Sequence, residues 1–207
     1  MPVMPVLKIE PCQERYPAEL VDAFAGKKLV VCGGARSVWD DLLTLNVSGE
    51  NPNGFDVMTV NDVTMHYDGK ITHVYSNDAR WLPKWIAARR DLITRKYGGI
   101  QYVHSCGTGA RYNWPWPGNG SSGLGAVYTG LAMGYSTIVL CGIPLDDAGH
   151  YFDPPWKRTN FSREVGNQTN GDLQYWANAK RTVFDVVKPK ACVRSQSGRT
   201  RELLGAY

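Results

Sequence analysis

The chain lacks the features that mark membrane-spanning, secreted and metal-binding proteins. No apolar run approaches the roughly 18 residues that a membrane-spanning helix needs. Residues 1–8 have no basic start leading into an apolar stretch, so we expect no signal peptide. The five cysteines are an odd number, and none of them has CxxC or another metal-ligand spacing. We therefore expect reduced thiols, no membrane span, no metal site and a cytoplasmic location.

Internal repeats and low-complexity segments are lacking as well, and neither sign of charge is in large excess. The 207 residues are 43% hydrophobic and 20% charged, which excludes a disordered or fibrous protein and favours one packed domain. The net charge of +4 suits an anionic ligand. It falls short of the concentrated basic surface that is typical of a dedicated nucleic-acid module.

From residue 26 onward, short β-branched runs alternate with helical patterns. The predicted strands are 28–32, 55–60, 71–75, 100–104, 137–140 and 191–194, and the predicted helices are 37–45, 81–96, 123–133 and 172–187. Strands separated by helices predict a single α/β domain over 26–207, whose mostly parallel sheet carries helices on both faces. Residues 1–25 are predicted to form an N-terminal arm packed on this domain. Residues 142–170 are predicted to form a long, lid-like loop after the fifth strand.

Glycines follow two of the predicted strands, at the edge of the sheet where such folds bind ligands. Gly33 and Gly34 come directly after the first strand, and Gly142 follows the fifth. Glycine turns let backbone N–H groups approach a phosphate or carboxylate, and a helix N-terminus adds partial positive charge. A tight turn capped by Ser37 explains the first pair equally well. The segment is neither GxGxxG nor a Walker A sequence, so it indicates neither NAD nor ATP.

Polar pairs follow the two strands in between. Asn61 and Asp62 end the second strand, and Asn77 and Asp78 follow the third. Their side chains can bind ribose hydroxyls or a base edge, although turn formation explains each pair taken singly. Two such pairs at neighbouring strand ends favour a polar ligand.

A segment of small and hydroxyl residues opens the predicted helix 123–133. Ser121, Ser122 and Gly123 stand at its N-terminus. Small residues allow a helix to pack closely on a sheet, and the hydroxyls with the first N–H groups can hold an anion. We interpret the segment as a structural cap that also serves as a ligand site.

The loop after the fifth strand contains the best acid/base candidate of the sequence. His150 lies among Asp146, Asp147 and Asp153, whose carboxylates could orient it and raise its basicity. A lone histidine in a loop is more often structural, and the location of the loop is the reason to single this one out. The other three histidines are weaker candidates: His66, His73 and His104.

Two loops are candidates for contacts with a second substrate. Trp114 and Trp116 lie in a loop rich in glycine, proline and aromatic residues, and indole faces suit the stacking of sugars or nucleobases. Packing of this loop or an oligomer contact explains them as well. Arg158 and Arg163, in the lid-like loop, could neutralise a leaving group.

Taken in order, these segments resemble the bacterial, Campylobacter-type sialyltransferases and the related 6-hydroxymethylpterin pyrophosphokinase-like, motility-accessory-factor group. The first loop, G-G-A-R-S-V, is similar to the family's G-N-G-P-S-L, and T-V-N-D ends a second strand as in the family. The strongest stretch is S-S-G, then a small-residue helix ending in L-A-M-G-Y, then a strand followed by C-G-I-P-L. The resemblance covers residues 28 to 194 and implies a Rossmann-like nucleotide-binding domain.

The resemblance further implies a CMP-sugar ligand. The residues that it would place around the nucleotide are Gly33, Gly34, Ser37, Asn61, Asp62, Asn77, Ser121, Ser122, Gly123 and Gly142. Asp146 and His150 stand where the family has two tyrosines near the donor phosphate. Residues 163–170, where the family has its catalytic histidine, contain none.

Three functions follow from these observations. The first is a metal-independent glycosyltransferase with a nucleotide-sugar donor, in which His150 is the general base and Asp146 or Asp153 orients it. The second is a nucleotide-dependent phosphotransferase or pyrophosphotransferase, whose Mg²⁺ would bind Asp62, Asp78, Asp146 and Asp147. The third is a non-catalytic nucleotide binder. A homo-oligomer and DNA as the acceptor stay open, although no feature of the sequence indicates either.

Overall fold

The computed structural model describes most of the domain. The described residues are 17–47, 49, 53–89, 95–106, 109–117, 121–146, 148–152 and 163–207, with only the backbone of 163–170. Of the predicted arm, residues 17–25 are described, and they begin with a 3₁₀ turn at Ala18–Leu20. Leu20 and Phe24 are buried in the main hydrophobic cluster. This part of the arm therefore packs on the domain.

A single sheet of seven parallel strands forms the centre of the fold. The strands are β1 (Lys28–Cys32), β2 (Phe55–Val60), β3 (His73–Ser76), β4 (Tyr102–Ser105), β5 (Tyr112–Asn113), β6 (Thr137–Cys141) and β7 (Cys192–Ser195). Their order across the sheet is β5-β4-β3-β2-β1-β6-β7, and every pair is parallel. This confirms the predicted α/β, Rossmann-like fold.

Helices cover both faces of the sheet. They are α1 (Val38–Thr44), α2 (Leu82–Ala88), α3 (Ser122–Ala132), α4 (Arg163–Ala179), which continues as a π-helical segment at Lys180–Phe184, and α5 (Gly198–Leu204). Strand β1 shows why two covered faces are needed, since Leu29 and Val31 join the cluster under α3, and Val30 and Cys32 join the cluster under α1. In the described part of the chain, no helix is long and apolar enough to cross a membrane.

The strand order fixes where a ligand can bind. Strands β2 to β5 follow one another outward on one side of β1, and the chain then crosses back so that β6 pairs with the other side of β1. In register, Cys32 at the end of β1 lies beside Cys141 at the end of β6. In folds of this kind a ligand binds outside the carboxyl ends of the strands, at the point where the strand order reverses. Gly33 and Gly142 are the first residues after these two strands.

The structure differs from the sequence-based expectation in four elements. The predicted helix 81–96 ends early, since α2 stops at Ala88 and Arg89 has an extended backbone. Strand β5 was not expected because two residues show no pattern, and α5 was not expected because its first five residues are glycine or polar. Helix α4 begins at Arg163, so the end of the predicted lid-like loop is helical instead. Its first turns contain Gly166 and several Asn and Thr residues, which have low intrinsic helix propensity. The sequence pattern therefore does not predict a helix there.

Candidate functional site

A cleft opens at the carboxyl edge of the sheet, where β1 and β6 end. It has a volume of about 270 Å³. Its lining includes nine of the residues that the sequence singled out, namely Gly33, Gly34, Asn61, Ser121, Ser122, Gly123, Gly142, Asp146 and His150. The structure thus gathers loops from three strands and the N-terminus of α3 around one cavity.

The two glycine turns form one side of the cleft because their backbones touch. The Gly33 N–H donates to the Cys141 carbonyl at 2.8 Å, and the Ala35 N–H donates to the Gly142 carbonyl at 3.1 Å. Gly142 has a φ of +65°. A Cβ added there would lie 2.5 Å from the Gly33 carbonyl oxygen and 2.5 Å from the Val38 Cβ. Glycine is therefore required at Gly142 by packing and by backbone conformation together.

A buried carboxylate holds this glycine turn in place. Asp41, on α1, is 6% exposed. Its Oδ2 accepts hydrogen bonds from the Gly142 N–H at 2.8 Å and from the Ser197 hydroxyl at 2.7 Å. Ser37 contacts the same Ser197 hydroxyl at 2.9 Å. Ser37, predicted to line the nucleotide, therefore faces the turn before α5 and does not line the cleft.

Two separate sets of hydrogen bonds hold Asn61 and Ser122 on the opposite side. Asn61 has a φ of +58°, and its side-chain carbonyl accepts from the Ser76 hydroxyl at 2.8 Å. The Ser122 hydroxyl accepts from the Asn77 backbone N–H at 3.1 Å. The Asn77 side-chain oxygen in turn accepts from the Tyr75 hydroxyl at 3.0 Å. Asn77 thus fixes Ser122 from behind and does not line the cleft itself.

Asp62 also lies outside the lining residues. Its Oδ1 is 3.6 Å from the place that a Cβ of Gly34 would occupy. The pKa of the Tyr151 hydroxyl is raised, first by burial and then by the negative charge of Asp62. Asp62 therefore stands behind the first glycine turn. Asn77 and Asp62 thus lie behind residues that line the cleft, and a direct contact of either with a ligand stays a prediction.

The sequence analysis missed one ionisable residue of the cleft. Asp172, on α4, lines it together with Ser121 and Ser122. The buried Trp176, one helical turn later, donates from its indole N–H to the Ser121 hydroxyl at 3.3 Å, and this contact docks α4 on the N-terminus of α3. Burial raises the pKa of the Asp172 carboxyl. No local pattern marks Asp172, because the packing of two helices places it.

His150 lies exposed at the rim of the cleft. Its imidazole stacks on Phe152 with ring centroids 5.1 Å apart and planes 13° apart. A β-bridge joins His150 to Ala35, and the Tyr151 N–H donates to the Gly34 carbonyl at 3.0 Å, so this loop is fixed to the first glycine turn. The Asp146 carboxylate accepts from the Ala148 N–H at 3.0 Å. Asp146 and His150 thus both line the cleft on this loop, and their roles as orienting group and general base stay predictions.

Four further candidates cannot be placed at the cleft. Asp153 and Arg158 lie outside the described residues, as does Asp147, and Arg163 is described by its backbone alone, at the start of α4. Among the described lining residues, Asp146 and Asp172 are acidic, His150 is the third ionisable group, and none is lysine or arginine. Positive potential in this part of the cleft comes from backbone N–H groups and the N-terminus of α3.

Trp114 and Trp116 correct a prediction. They were expected to be exposed at the ligand edge, but they are 1% and 6% exposed, and they stack on each other in the main hydrophobic cluster. The Trp116 indole N–H donates to the Thr129 hydroxyl at 2.9 Å. Burial of both rings under α3 removes them as acceptor or lid residues.

Trp114 begins a buried chain of hydrogen bonds that includes two histidines. Its indole N–H donates to His104 Nδ1 at 3.1 Å. An indole nitrogen can only donate, so neutral His104 carries its proton on Nε2, which lies 3.0 Å from His73 Nδ1. His73 Nε2 then donates to the Tyr135 hydroxyl at 2.8 Å, and that hydroxyl donates to Asp56 at 2.7 Å. These histidines are structural.

Metal-ligating residues are not clustered in the part of the chain that the structure describes. No group of three or more His, Cys, Asp or Glu side chains is arranged there to hold an ion. Asp78, one of the carboxylates suggested for Mg²⁺, pairs with Arg80 at 2.9 Å. The four described cysteines are free thiols, as expected.

Comparison with known proteins gives matches in structure and none in sequence. No family model matches the chain, and no curated protein matches it. The sialyltransferase CstII from Campylobacter jejuni, in complex with the substrate analogue CMP-3FNeuAc, matches with a TM-score of 0.54 and 15% identity over 87% of this chain and 86% of that chain. The chain has a sialyltransferase-like fold.

Two more structures support this likeness. CstII with cytidine-5′-monophosphate has a TM-score of 0.56 and 14% identity over 88% of this chain and 85% of that chain. The sialyltransferase CST-II with a trisaccharide acceptor and CMP has a TM-score of 0.55 and 15% identity over 87% and 86% of the respective chains. These matches support the sialyltransferase part of the resemblance. They give no support to the pterin pyrophosphokinase part.

Proposed function

We propose that the chain is a glycosyltransferase-like enzyme that takes a CMP-sugar as donor. The observation that carries this proposal is the cleft at the carboxyl ends of β1 and β6. The fold around it is similar to CstII structures solved with CMP and with a CMP-sugar analogue. Gly34, Ser121, Ser122 and the N-terminus of α3 offer N–H and O–H donors that suit a phosphate. Asn61 offers an amide for the ribose or the base.

The proposed reaction transfers the sugar to an acceptor hydroxyl. His150 takes the proton of that hydroxyl while its oxygen forms a bond to the anomeric carbon. The bond from the anomeric carbon to the phosphate oxygen breaks, and its electron pair leaves with CMP. Backbone N–H groups at the cleft stabilise the charge that develops on the phosphate. Asp146 or Asp153 orients His150, and Arg158 or Arg163 neutralises the leaving group.

A thermal-shift screen against nucleotides and their sugar conjugates tests ligand choice. CMP and CMP-sugars should raise the melting temperature more than UMP, GMP or AMP, since a ligand at a hundredfold excess over Kd stabilises by about 2.7 kcal/mol. Ser122→Ala should weaken CMP binding about tenfold, because a hydrogen bond to a charged phosphate is lost. Ser136→Ala, at the other end of the sheet, is the matched control and should bind CMP normally. Equal shifts with all four nucleotides would contradict the proposal.

Release of CMP from a donor tests turnover. His150→Ala should lower kcat at least a hundredfold and leave CMP affinity unchanged, as expected for loss of a general base. His66→Ala is the matched control. His66 is also exposed, and its ring centroid lies 5.3 Å from that of Tyr151, yet it does not line the cleft. Normal turnover in His150→Ala would remove His150 from the reaction.

The two alternative functions give different outcomes in the same assays. Loss of turnover on addition of a chelator indicates the Mg²⁺-dependent phosphotransferase. Stabilisation by CMP without turnover of any CMP-sugar indicates a non-catalytic binder, which the absence of a histidine in residues 163–170 favours. Binding to DNA that weakens steeply with salt indicates a nucleic-acid acceptor.

A further inference from the structure

Asp172 occupies a position in the cleft that conflicts with an anionic ligand. It lies one helical turn before Trp176 on α4, and the Trp176 indole donates to Ser121 at the N-terminus of α3. Residues four apart share a helix face, so Asp172 faces the same N-terminus. That N-terminus is the strongest anion-binding feature of the cleft. A phosphate bound at that N-terminus and an ionised Asp172 in the same cleft would repel each other.

Protonation of one carboxyl removes this conflict. A protonated carboxyl is neutral and offers an O–H donor, whereas the ionised form can only accept. The ionisable groups that face Asp172 within the described lining are Asp146 and His150, both from the loop after β6. Helix α3 contributes hydroxyls and N–H groups to this lining, and α5, which packs against α4, contributes no lining residue. No described lysine or arginine of the lining holds Asp172 in its charged form.

We propose that Asp172 is a phosphate-binding residue that acts in its protonated form, its carboxyl O–H donating a hydrogen bond to a phosphate oxygen of the nucleotide. Burial raises the pKa of this carboxyl, which makes its protonation easier. A phosphate at the N-terminus of α3 raises that pKa further through like-charge repulsion. Binding of the phosphate and binding of a proton at Asp172 therefore reinforce each other. The inference rests on the proposed nucleotide ligand.

The test is calorimetric titration with CMP, carried out from about pH 4.5 to about pH 7.5 with wild-type protein and Asp172→Asn. Asparagine is neutral at every pH and keeps an N–H donor at the same place. The ratio of wild-type Kd to Asp172→Asn Kd should rise with pH, approaching a tenfold change per unit where Asp172 must take up a proton to bind. The titration of the CMP phosphate occurs in both proteins, so the ratio isolates Asp172.

Two controls sharpen the experiment. Cytidine, which has no phosphate, should bind both proteins with a ratio that does not change with pH. Asp185→Asn removes an exposed carboxylate just beyond α4, where it pairs with Lys180 at 2.8 Å, and should bind CMP like wild type at every pH. A variant of Asp172 that fails to fold would be recognised by its melting curve, and Asp172→Ser then serves as a second neutral hydrogen-bond donor.

The outcomes separate this inference from the proposed function. A Kd ratio for CMP that stays constant with pH, in proteins that do bind CMP, overturns the role of Asp172 and leaves the proposed function intact. A ratio that rises equally with cytidine also overturns it, because the effect is then unrelated to phosphate. Absence of CMP binding in both proteins overturns the proposed function itself, and this inference with it.

Discussion

The histidines of this chain occupy two regions that give the same side chain opposite properties. His73 and His104 are fully buried between the sheet and α3, and His150 is exposed at the rim of the cleft. Burial lowers the pKa of His104 to about 3 and that of His73 well below its usual value, so both stay neutral. His150 keeps access to solvent and to any ligand in the cleft.

The comparison shows that burial within a hydrogen-bonded chain separates the structural histidines from the candidate catalytic one, which is exposed at the cleft. Trp114, His104, His73 and Tyr135 use every ring nitrogen and hydroxyl in one directed chain that ends on Asp56. A ligand could enter this chain only by breaking it. The cleft, in contrast, is open to a ligand and presents hydroxyl and backbone N–H donors along its lining.

The largest expected effect is the loss of stability at low pH that His73 and His104 cause. Both have a lower pKa in the folded protein than the 6.5 of the unfolded chain. Stability is therefore full above pH 6.5 and falls as pH decreases toward the folded-state pKa values, because in this range only the unfolded chain protonates these two imidazoles. Each histidine lowers the free energy of unfolding by about 1.4 kcal/mol per pH unit below the unfolded pKa, which gives roughly 4 kcal/mol for the two at about pH 5. Urea unfolding at about pH 7 and pH 5 measures the difference. A free energy of unfolding that is flat over this range would contradict the neutral, buried assignment.

The next largest effect concerns the glycine turn that forms the cleft. Gly142→Ala should lower the free energy of unfolding by about 3 kcal/mol, since the added Cβ meets the Gly33 carbonyl and Val38 and the backbone has a positive φ. Gly171→Ala, on α4, is the matched control. A Cβ there meets nothing within 4 Å, so this variant should be unchanged or up to about 1 kcal/mol more stable. Similar melting curves for the two variants would refute the close approach of the two turns.

A direct contrast of the two histidine regions gives an intermediate effect. His104→Leu should cost about 2–3 kcal/mol at neutral pH, because the Trp114 N–H and His73 Nδ1 lose their partner in the buried chain. His150→Leu should change stability by less than about 0.5 kcal/mol, as is usual for an exposed position. Chemical denaturation of both variants checks this. Equal costs would mean that burial does not divide the histidines as described.

The smallest effect concerns Ser37, which sequence reasoning placed at the nucleotide. Ser37→Ala should reduce stability by about 0.5–1 kcal/mol through loss of its hydrogen bond with Ser197, and should change CMP affinity less than twofold. Denaturation and calorimetry on one preparation measure both quantities. A tenfold loss of CMP affinity would show that Ser37 contributes to nucleotide binding.

The sheet and the turns of the cleft could be predicted from the sequence, because both depend on residues that are neighbours along the chain. The bounds of β1 and β2 agree with the predicted ones, since strands covered on two faces are continuous apolar runs. Gly33 and Gly142 stand out because a glycine directly after such a strand is a local signal.

Residues that depend on packing between distant elements could not be predicted. Trp114 and Trp116 have the same sequence environment whether their loop faces solvent or folds under α3. Asp172 reaches the cleft only because Trp176 docks α4 on Ser121, 55 positions earlier in the chain. Ser37 is a cap candidate by pattern, and only the distant Ser197 shows where its hydroxyl points.

A crystal structure of the protein with CMP tests the central claim most directly. We predict that the phosphate lies at the N-terminus of α3, within hydrogen-bond distance of Ser122 and of the first glycine turn at Gly34, with Asn61 on the ribose or the base. A phosphate bound elsewhere on the protein, with this cleft holding only water, would contradict a nucleotide site at the β1–β6 crevice.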